Sequence, residues 1–495
     1  MNIFEGLVAL GQWGQQHPAI VVGTLVGVPL VLGAVQVLTG GTRRGSDTHG
    51  SARWATLHEI RRSGLSRTHG VVVGTLGSEV FYDDGPTHVF LCAPTRAGKG
   101  VFHLQPTLQY GWRQSALILD PKRGENYAVS HLARRHMGRV EVFAPYGPPQ
   151  ARINVLDTIR WHTLHEHSDA RTIATSLCAP YKMAKESDTG RHFRQLAIML
   201  YTATTLHLGY TTPRPSLAQA WAFLTQQHGT LAACLKTMRT TRHTPQGVHP
   251  AIAGLVTAIR NITGDRELSS VWTTLIRPLS LYADPLIAAS TDTSTLDLED
   301  LQHGKEPLSL YLLAPSPRSL EDLHPVYRVI VDVAMGRLMD RPVTQAAHRL
   351  LVCAEELPAY GYTAALDKGA GDMAGYGIKG LYVVQDLDQF EETYGEKNTI
   401  WGNTACKLFH APDNERTAER ISTYLLGPAT VDHPVASTQG MLGRGSVSYQ
   451  HVERPLLTPD EVQRMAPWQL IVRRTGARPM RLEKLGYDPR LREVA

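Results

Sequence analysis

The sequence predicts an α/β fold: a parallel sheet covered by helices, interrupted by an all-α domain and preceded by an N-terminal transmembrane helix. Three observations carry this. Short apolar runs alternate with helix-like stretches from residue 89 to residue 143 and again from 308 to 409, the pattern of parallel strands joined by crossover helices. Between about Asp169 and Ser290 the alternation gives way to Ala-, Leu-, Thr- and Gln-rich segments with a helical period. From Ala19 to Val35 the chain carries no charge, and the stretch continues to Leu38.

That last stretch approaches the ~20 residues a helix needs to cross a bilayer. Pro29, Gly23, Gly27 and Gly33 are tolerated in a membrane helix, and Arg43 and Arg44 place its C-terminal side in the cytoplasm. Residues 1–44 are therefore expected to form a single-pass anchor, with the helix at about 19–39. It starts too late and lacks the basic leading region of a cleaved signal peptide. A Gly-rich linker, Gly40 to Gly50, follows.

The remainder has ordinary globular composition. Of 495 residues, 42% are apolar and 19% charged, which excludes a disordered chain. The net charge of +5 is compatible with a nucleic-acid partner without requiring one. Cys92, Cys178, Cys234, Cys353 and Cys406 form no C-x-x-C pair, so neither a zinc site nor a disulfide framework is indicated.

Strands are expected at Val89–Leu91, Ala116–Leu119, Val140–Phe143, Leu308–Leu313, Leu350–Cys353, Gly380–Val384 and Lys407–Phe409. Phe193–Leu208 and Leu217–Leu224 read as amphipathic helices of the insertion. Residues 45–168 and 291–495 are then two parts of one nucleotide-binding domain, split by an all-α domain at 169–290.

The chemistry centres on Ala93-Pro94-Thr95-Arg96-Ala97-Gly98-Lys99-Gly100-Val101, set between a strand and a helix. A phosphate-binding loop wraps backbone N–H groups around phosphates, and its lysine reaches the β/γ oxygens. The pattern G-x-x-x-x-G-K-[ST] is missed twice: Ala93 replaces the first glycine, and Gly100 stands where a hydroxyl would bind Mg²⁺. Alone, the loop equally fits an ordinary Gly-rich turn; the strand–loop–helix setting favours ATP. Hydrolysis also needs carboxylates at the end of a neighbouring strand. Glu355 and Glu356 follow an apolar run, with Glu355 on the metal side and Glu356 activating water, although a solvated Glu pair has the same sequence. Gln385 ends another run, where its amide can meet the γ-phosphate or the attacking water.

Together these segments resemble the TraG-type coupling proteins of type IV secretion and conjugation systems, within the RecA-like hexameric pumps. His49 to Ala55 resembles the opening motif, and Ala93 to Val101 the family's variant phosphate loop, in which glycine commonly follows the lysine. Asp120 to Tyr127 resembles a D-x-K-G-E motif with Arg123 added, and Asn154 to Asp157 an N-P-L-D segment with Val155 for proline. Glu355 to Gly361 resembles D-E-F-P-x-L-G, with Glu355 for the usual aspartate. Met373 to Leu387, Asn414 to Ser422 and Arg454 to Val462 continue the match.

The resemblance implies a RecA-like domain using ATP and Mg²⁺. It implies a homo-hexamer with sites at subunit interfaces, anchored in the bacterial inner membrane beside other inner-membrane components of a type IV secretion system. Its cargo would be relaxase-bound single-stranded DNA, driven across by ATP hydrolysis. Alternatives are a coupling protein for protein effectors, or a recruitment platform with weak ATPase activity. An ATP site built between subunits also calls for a trans cation on the developing phosphoryl charge. Arg416 is the expected donor, ahead of Arg420 and Arg444: it opens the helix after the Lys407–Phe409 strand, near the edge where α/β ligands bind, although an arginine merely paired with Glu415 or Glu419 on a solvated helix has the same sequence.

Overall fold

The computed structural model describes residues 51–147, 151–182, 187–227, 229–262, 272, 275–439 and 445–486. The anchor expected at 19–39 lies outside them. Among the described residues no helix is long and apolar enough to cross a membrane.

The strands run in chain order: β1 (Val71–Leu76), β2 (Glu79–Asp83), β3 (His88–Cys92), β4 (Ser115–Asp120), β5 (Arg139–Phe143), β6 (Leu308–Leu313), β7 (Leu350–Ala354), β8 (Ile378–Val384), β9 (Thr404–Phe409), β10 (Pro428–Gln439), β11 (Gly445–Pro455), β12 (Gln469–Arg474) and β13 (Met480–Glu483). The chain divides into two compact units. In the larger, residues 53–426 with those from 457 onward, an eleven-stranded sheet has the order β2-β1-β13-β12-β9-β3-β8-β7-β4-β6-β5. The smaller holds the antiparallel hairpin β10–β11, irregular between Pro434 and Ala436, and an isolated bridge from Ser51 to Ala429.

The sheet from β5 across to β9 is parallel throughout. Every residue of β3, β4, β7 and β8 is buried, as expected for strands covered on both faces. All seven strands expected from the sequence are present, each a residue or more longer except Leu308–Leu313. The sheet is mixed, however, not wholly parallel. Beyond β9 it continues through β12, β13, β1 and β2, each antiparallel to its neighbour. These four form one hairpin from each end of the described chain, β1–β2 and β12–β13, and the two hairpins join where Thr75 lies opposite Glu483.

A buried ion cluster ties this extension to the parallel strands. Lys379 on β8 and Asp83 on β2 are both fully buried, 2.6 Å apart, and Arg474 at the end of β12 also donates to Asp83. Lys379 Nζ donates as well to the Gly85 carbonyl at 2.9 Å. Burying two such cations is tolerable only because one carboxylate and several carbonyls compensate them.

Between β5 and β6 the described elements are helices, including Glu166–Leu177, Asp188–Thr211, Leu217–Ala222, Leu231–Thr240 and Pro250–Ile262. Asp188–Thr211 is capped by Ser187 and is buried on every side from Leu200 to Leu208, so this stretch is a core helix and not the amphipathic one expected. All five cysteines are free and buried.

Candidate nucleotide site

The parallel strands end in register on one edge. Cys92 is level with Val384 and Phe409, and Leu119 with Ala354. The segments leaving that edge are the Ala93–Gly100 loop after β3, Asp120 after β4, Glu355–Glu356 after β7, Gln385 after β8 and His410 after β9. This is where open α/β sheets bind ligands.

Here Lys99 and Glu356 form an ion pair, Nζ to Oε2 2.8 Å, with side chains 5% and 12% exposed. Glu355 is engaged by other donors: Lys122 Nζ donates to Oε1 at 2.9 Å and Asn126 Nδ2 to Oε2. Burial works against the Lys122 ammonium, but Glu355 outweighs it and holds its pKa up. Thr95 Oγ1 donates to Gln385 Oε1 at 3.0 Å, joining the loop to the end of β8.

The backbone is strained at the same edge. Arg96, Arg123 and Glu356 have φ of 62°, 56° and 59°, a left-handed conformation that non-glycine residues avoid and that concentrates at functional sites. Gly98 is required, since its φ is +83° and a Cβ would collide with the Phe102 ring. Gly100 is not: a Cβ there meets only Gln105 Nε2, at 3.8 Å. The missing hydroxyl is thus a matter of residue type, not of space. After the loop the chain makes wide helical turns, Gly100–Leu104 and Thr107–Gly111.

Asp120 is fully buried. Its Oδ2 accepts from Tyr127 N–H at 3.0 Å, while Oδ1 has no partner. Burial pushes its pKa up to about 7 against the pull of the Tyr127 N–H. Among the described residues no three metal-binding side chains cluster. Mg²⁺ bound mainly by phosphates and waters needs only one or two protein carboxylates. An orphaned Asp120 oxygen on the strand beside Glu355 fits that requirement.

The structure therefore brings together the loop, Lys99, Glu355, Glu356 and Gln385. It does not bring Arg416 into this group. Arg416 opens the helix Glu415–Arg420 and pairs with Asp388 at 3.0 Å and with Glu391 and Glu396 at 3.4 Å; its side chain is 55% exposed. Sequence reasoning assigned no role to Lys122 and Asn126, which hold Glu355, or to Asp120. Their signal was the acidic end of an apolar run followed by Pro-Lys-Arg-Gly-Glu-Asn.

The profile of a family described as "Type IV secretory system Conjugative DNA transfer" matches residues 53–490. A conjugal transfer protein TraG of Escherichia coli is 32% identical, over 92% of this chain and 78% of its own length. A VirD4 protein of Rhizobium rhizogenes is 25% identical, over 90% of this chain and 66% of its own. Among solved structures, the conjugative coupling protein TrwBdeltaN70 superposes with a TM-score of 0.67 at 17% identity, covering 88% of this chain and 94% of that one. The plasmid coupling protein TrwB in complex with ADP and Mg²⁺ gives 0.65 at 16%, covering 88% and 93%.

Proposed function

The chain belongs to the type IV secretory system conjugative DNA-transfer family, and from that premise we propose that this coupling protein is an ATP-driven motor. It takes relaxase-bound single-stranded DNA to a secretion channel and drives its transfer. The observation that carries this reading is the buried Lys99–Glu356 pair beside Glu355 at the C-terminal strand edge.

In this reading Lys99 leaves Glu356 for the β/γ-phosphates when ATP binds. Glu356, released, orients the attacking water, and Gln385, held by Thr95, meets the γ-phosphate or that water. Glu355, with the free oxygen of Asp120, would hold Mg²⁺, which neutralises charge on the phosphates. Arg416 of one subunit would complete the site of the next in a homo-hexamer, exchanging its carboxylate partners for the phosphoryl group. Residues 19–39 would anchor the ring in the inner membrane beside other components of the secretion system.

DNA contacts would go to phosphates, not base edges, because a pump must slide along its cargo. Affinity should then fall steeply with salt. Purified full-length protein in detergent should hydrolyse ATP, faster with single-stranded DNA, and Lys99→Ala should abolish this while the protein stays folded. Hydrolysis unaffected by Lys99→Ala would end the motor reading.

A second reading, a recruitment platform with weak ATPase activity, draws support from Gly100 and from the two donors already on Glu355. In that case DNA or effector binding would persist without DNA-stimulated hydrolysis.

A further inference from the structure

One peptide of the phosphate loop is held from outside the loop. The Ala97 carbonyl accepts from His410 Nδ1 at 3.0 Å and from Lys484 Nζ at 2.9 Å. His410 leaves β9, and Lys484 follows β13 at the antiparallel end of the sheet. Both are buried, 1% and 6% exposed, and Lys484 Nζ also lies over the Phe102 ring. Behind His410, its Nε2 meets His103 Nε2 at 2.9 Å, and His103 Nδ1 lies 3.1 Å from the Val72 carbonyl. A continuous line of contacts thus runs from β1 through the helix after the loop to the loop itself.

The consequence follows from peptide geometry. A trans peptide is planar, so the Ala97 carbonyl and the Gly98 N–H point in opposite directions. Lys484, together with His410 in its Nδ1–H tautomer, draws the carbonyl toward β9 and β13 and so turns the Gly98 N–H the other way. Glycine tolerates both signs of φ, so nothing intrinsic to Gly98 keeps this peptide from flipping. A flipped peptide would aim a carbonyl oxygen at the phosphates. A buried ammonium is also costly unless its hydrogen bonds are made; burial pushes the Lys484 pKa down to about 8.

We propose that Lys484 and His410 are positioning residues of the nucleotide site, locking the Ala97–Gly98 peptide with its N–H toward the phosphates. They touch neither nucleotide nor water; they act through the loop. The proposal rests on the nucleotide-binding reading above, so its test has an arm that needs no nucleotide.

Full-length Lys484→Met, Lys484→Arg, His410→Leu and His410→Asn proteins would be compared with the wild type. Without nucleotide, hydrogen exchange should accelerate at the Ala97 and Phe102 amides in Lys484→Met and His410→Leu, and little elsewhere in the sheet. With ATP, the KM of those two variants should rise about tenfold, the loss of a hydrogen bond from a charged donor, with kcat changed less. Lys484→Arg and His410→Asn, which keep a donor, should recover most of both effects. Unchanged loop exchange and KM in Lys484→Met would overturn the proposal. So would acceleration spread evenly over the sheet with no recovery in Lys484→Arg, which would mark a packing role only. If the wild-type chain fails to bind ATP, the nucleotide reading falls, and the exchange measurements still decide whether the loop is braced.

Discussion

The two halves of the sheet divide the work. From β5 to β9 the strands are parallel, and their C-terminal ends supply Lys99's loop, Glu355, Glu356 and Gln385. From β12 to β2 they are antiparallel, and supply no group expected to touch a phosphate. The second half instead holds Asp83 and Arg474 of the buried ion cluster, and Lys484 follows its strand β13. Chemistry and its support are thus encoded in different stretches of the chain. The supporting half is made from both ends of the described chain, which meet where β1 pairs with β13.

This comparison can be broken. Lys99→Ala, in the parallel half, should lower ATP turnover by about 10²-fold or more and abolish DNA transfer between cells. Circular dichroism should show the fold retained. Transfer at wild-type frequency would mean that the parallel edge is not the engine.

Arg416→Ala tests whether the parallel half is complete within one subunit. A trans arginine contributes about 10³-fold or more in rate, so the variant alone should be nearly inactive. Mixing it with Lys99→Ala subunits should restore partial hydrolysis, because some interfaces then hold both residues. If Arg416→Ala alone hydrolyses ATP like the wild type, its ion pairs with Asp388, Glu391 and Glu396 are its whole role.

Asp83→Ala tests the antiparallel half. It strands Lys379 and Arg474 in the interior, at a cost of about 3–5 kcal/mol, read as a lower denaturant midpoint. A midpoint unchanged from wild type would remove the distinction between the halves.

The smallest effect belongs to the border strand, β9, parallel to β3 and antiparallel to β12. Burial lowers the pKa of Lys407 on this strand to about 8 from 10.5. The folded state therefore sheds its proton before the unfolded state does. Stability should rise between about pH 8 and pH 10.5, by at most about 1.4 kcal/mol per unit. Lys484, lowered to about 8 likewise, adds a rise of the same sign, so Lys407→Met should lessen the rise in urea unfolding across this range and leave the Lys484 share.

The parallel half was legible because strands buried on both faces are nearly continuous apolar runs: Leu350-Leu351-Val352-Cys353-Ala354 admits few other readings. Among its candidate site residues, Glu355, Glu356 and Gln385 follow such a run directly and Lys99 lies in the loop after one. The antiparallel half was not. β2, Glu79 to Asp83, begins with a charge, β13 is four residues long, and Gln469 to Arg474 ends in two arginines. β1–β2 and β12–β13 are local hairpins, but what joins them into the sheet is the pairing of β1 with β13, about four hundred residues away, which no local pattern reports. For the same reason nothing in the sequence marks Lys484, an isolated lysine after a short strand. The hairpin β10–β11 escaped notice too, its polar residues giving no apolar run. The anchor at 19–39 was read from an uncharged stretch outside the described residues.

The Lys99–Glu356 pair has a further consequence. A lysine already joined to a carboxylate makes nucleotide capture an exchange of anions, not the filling of a bare positive hole. A weak or singly charged ion, such as chloride or a sulfonate buffer, gains too little from Lys99 to displace Glu356. On the proposed motor reading a polyphosphate, carrying several charges, would gain enough. The resting protein would then be self-inhibited, with Glu356 setting the threshold.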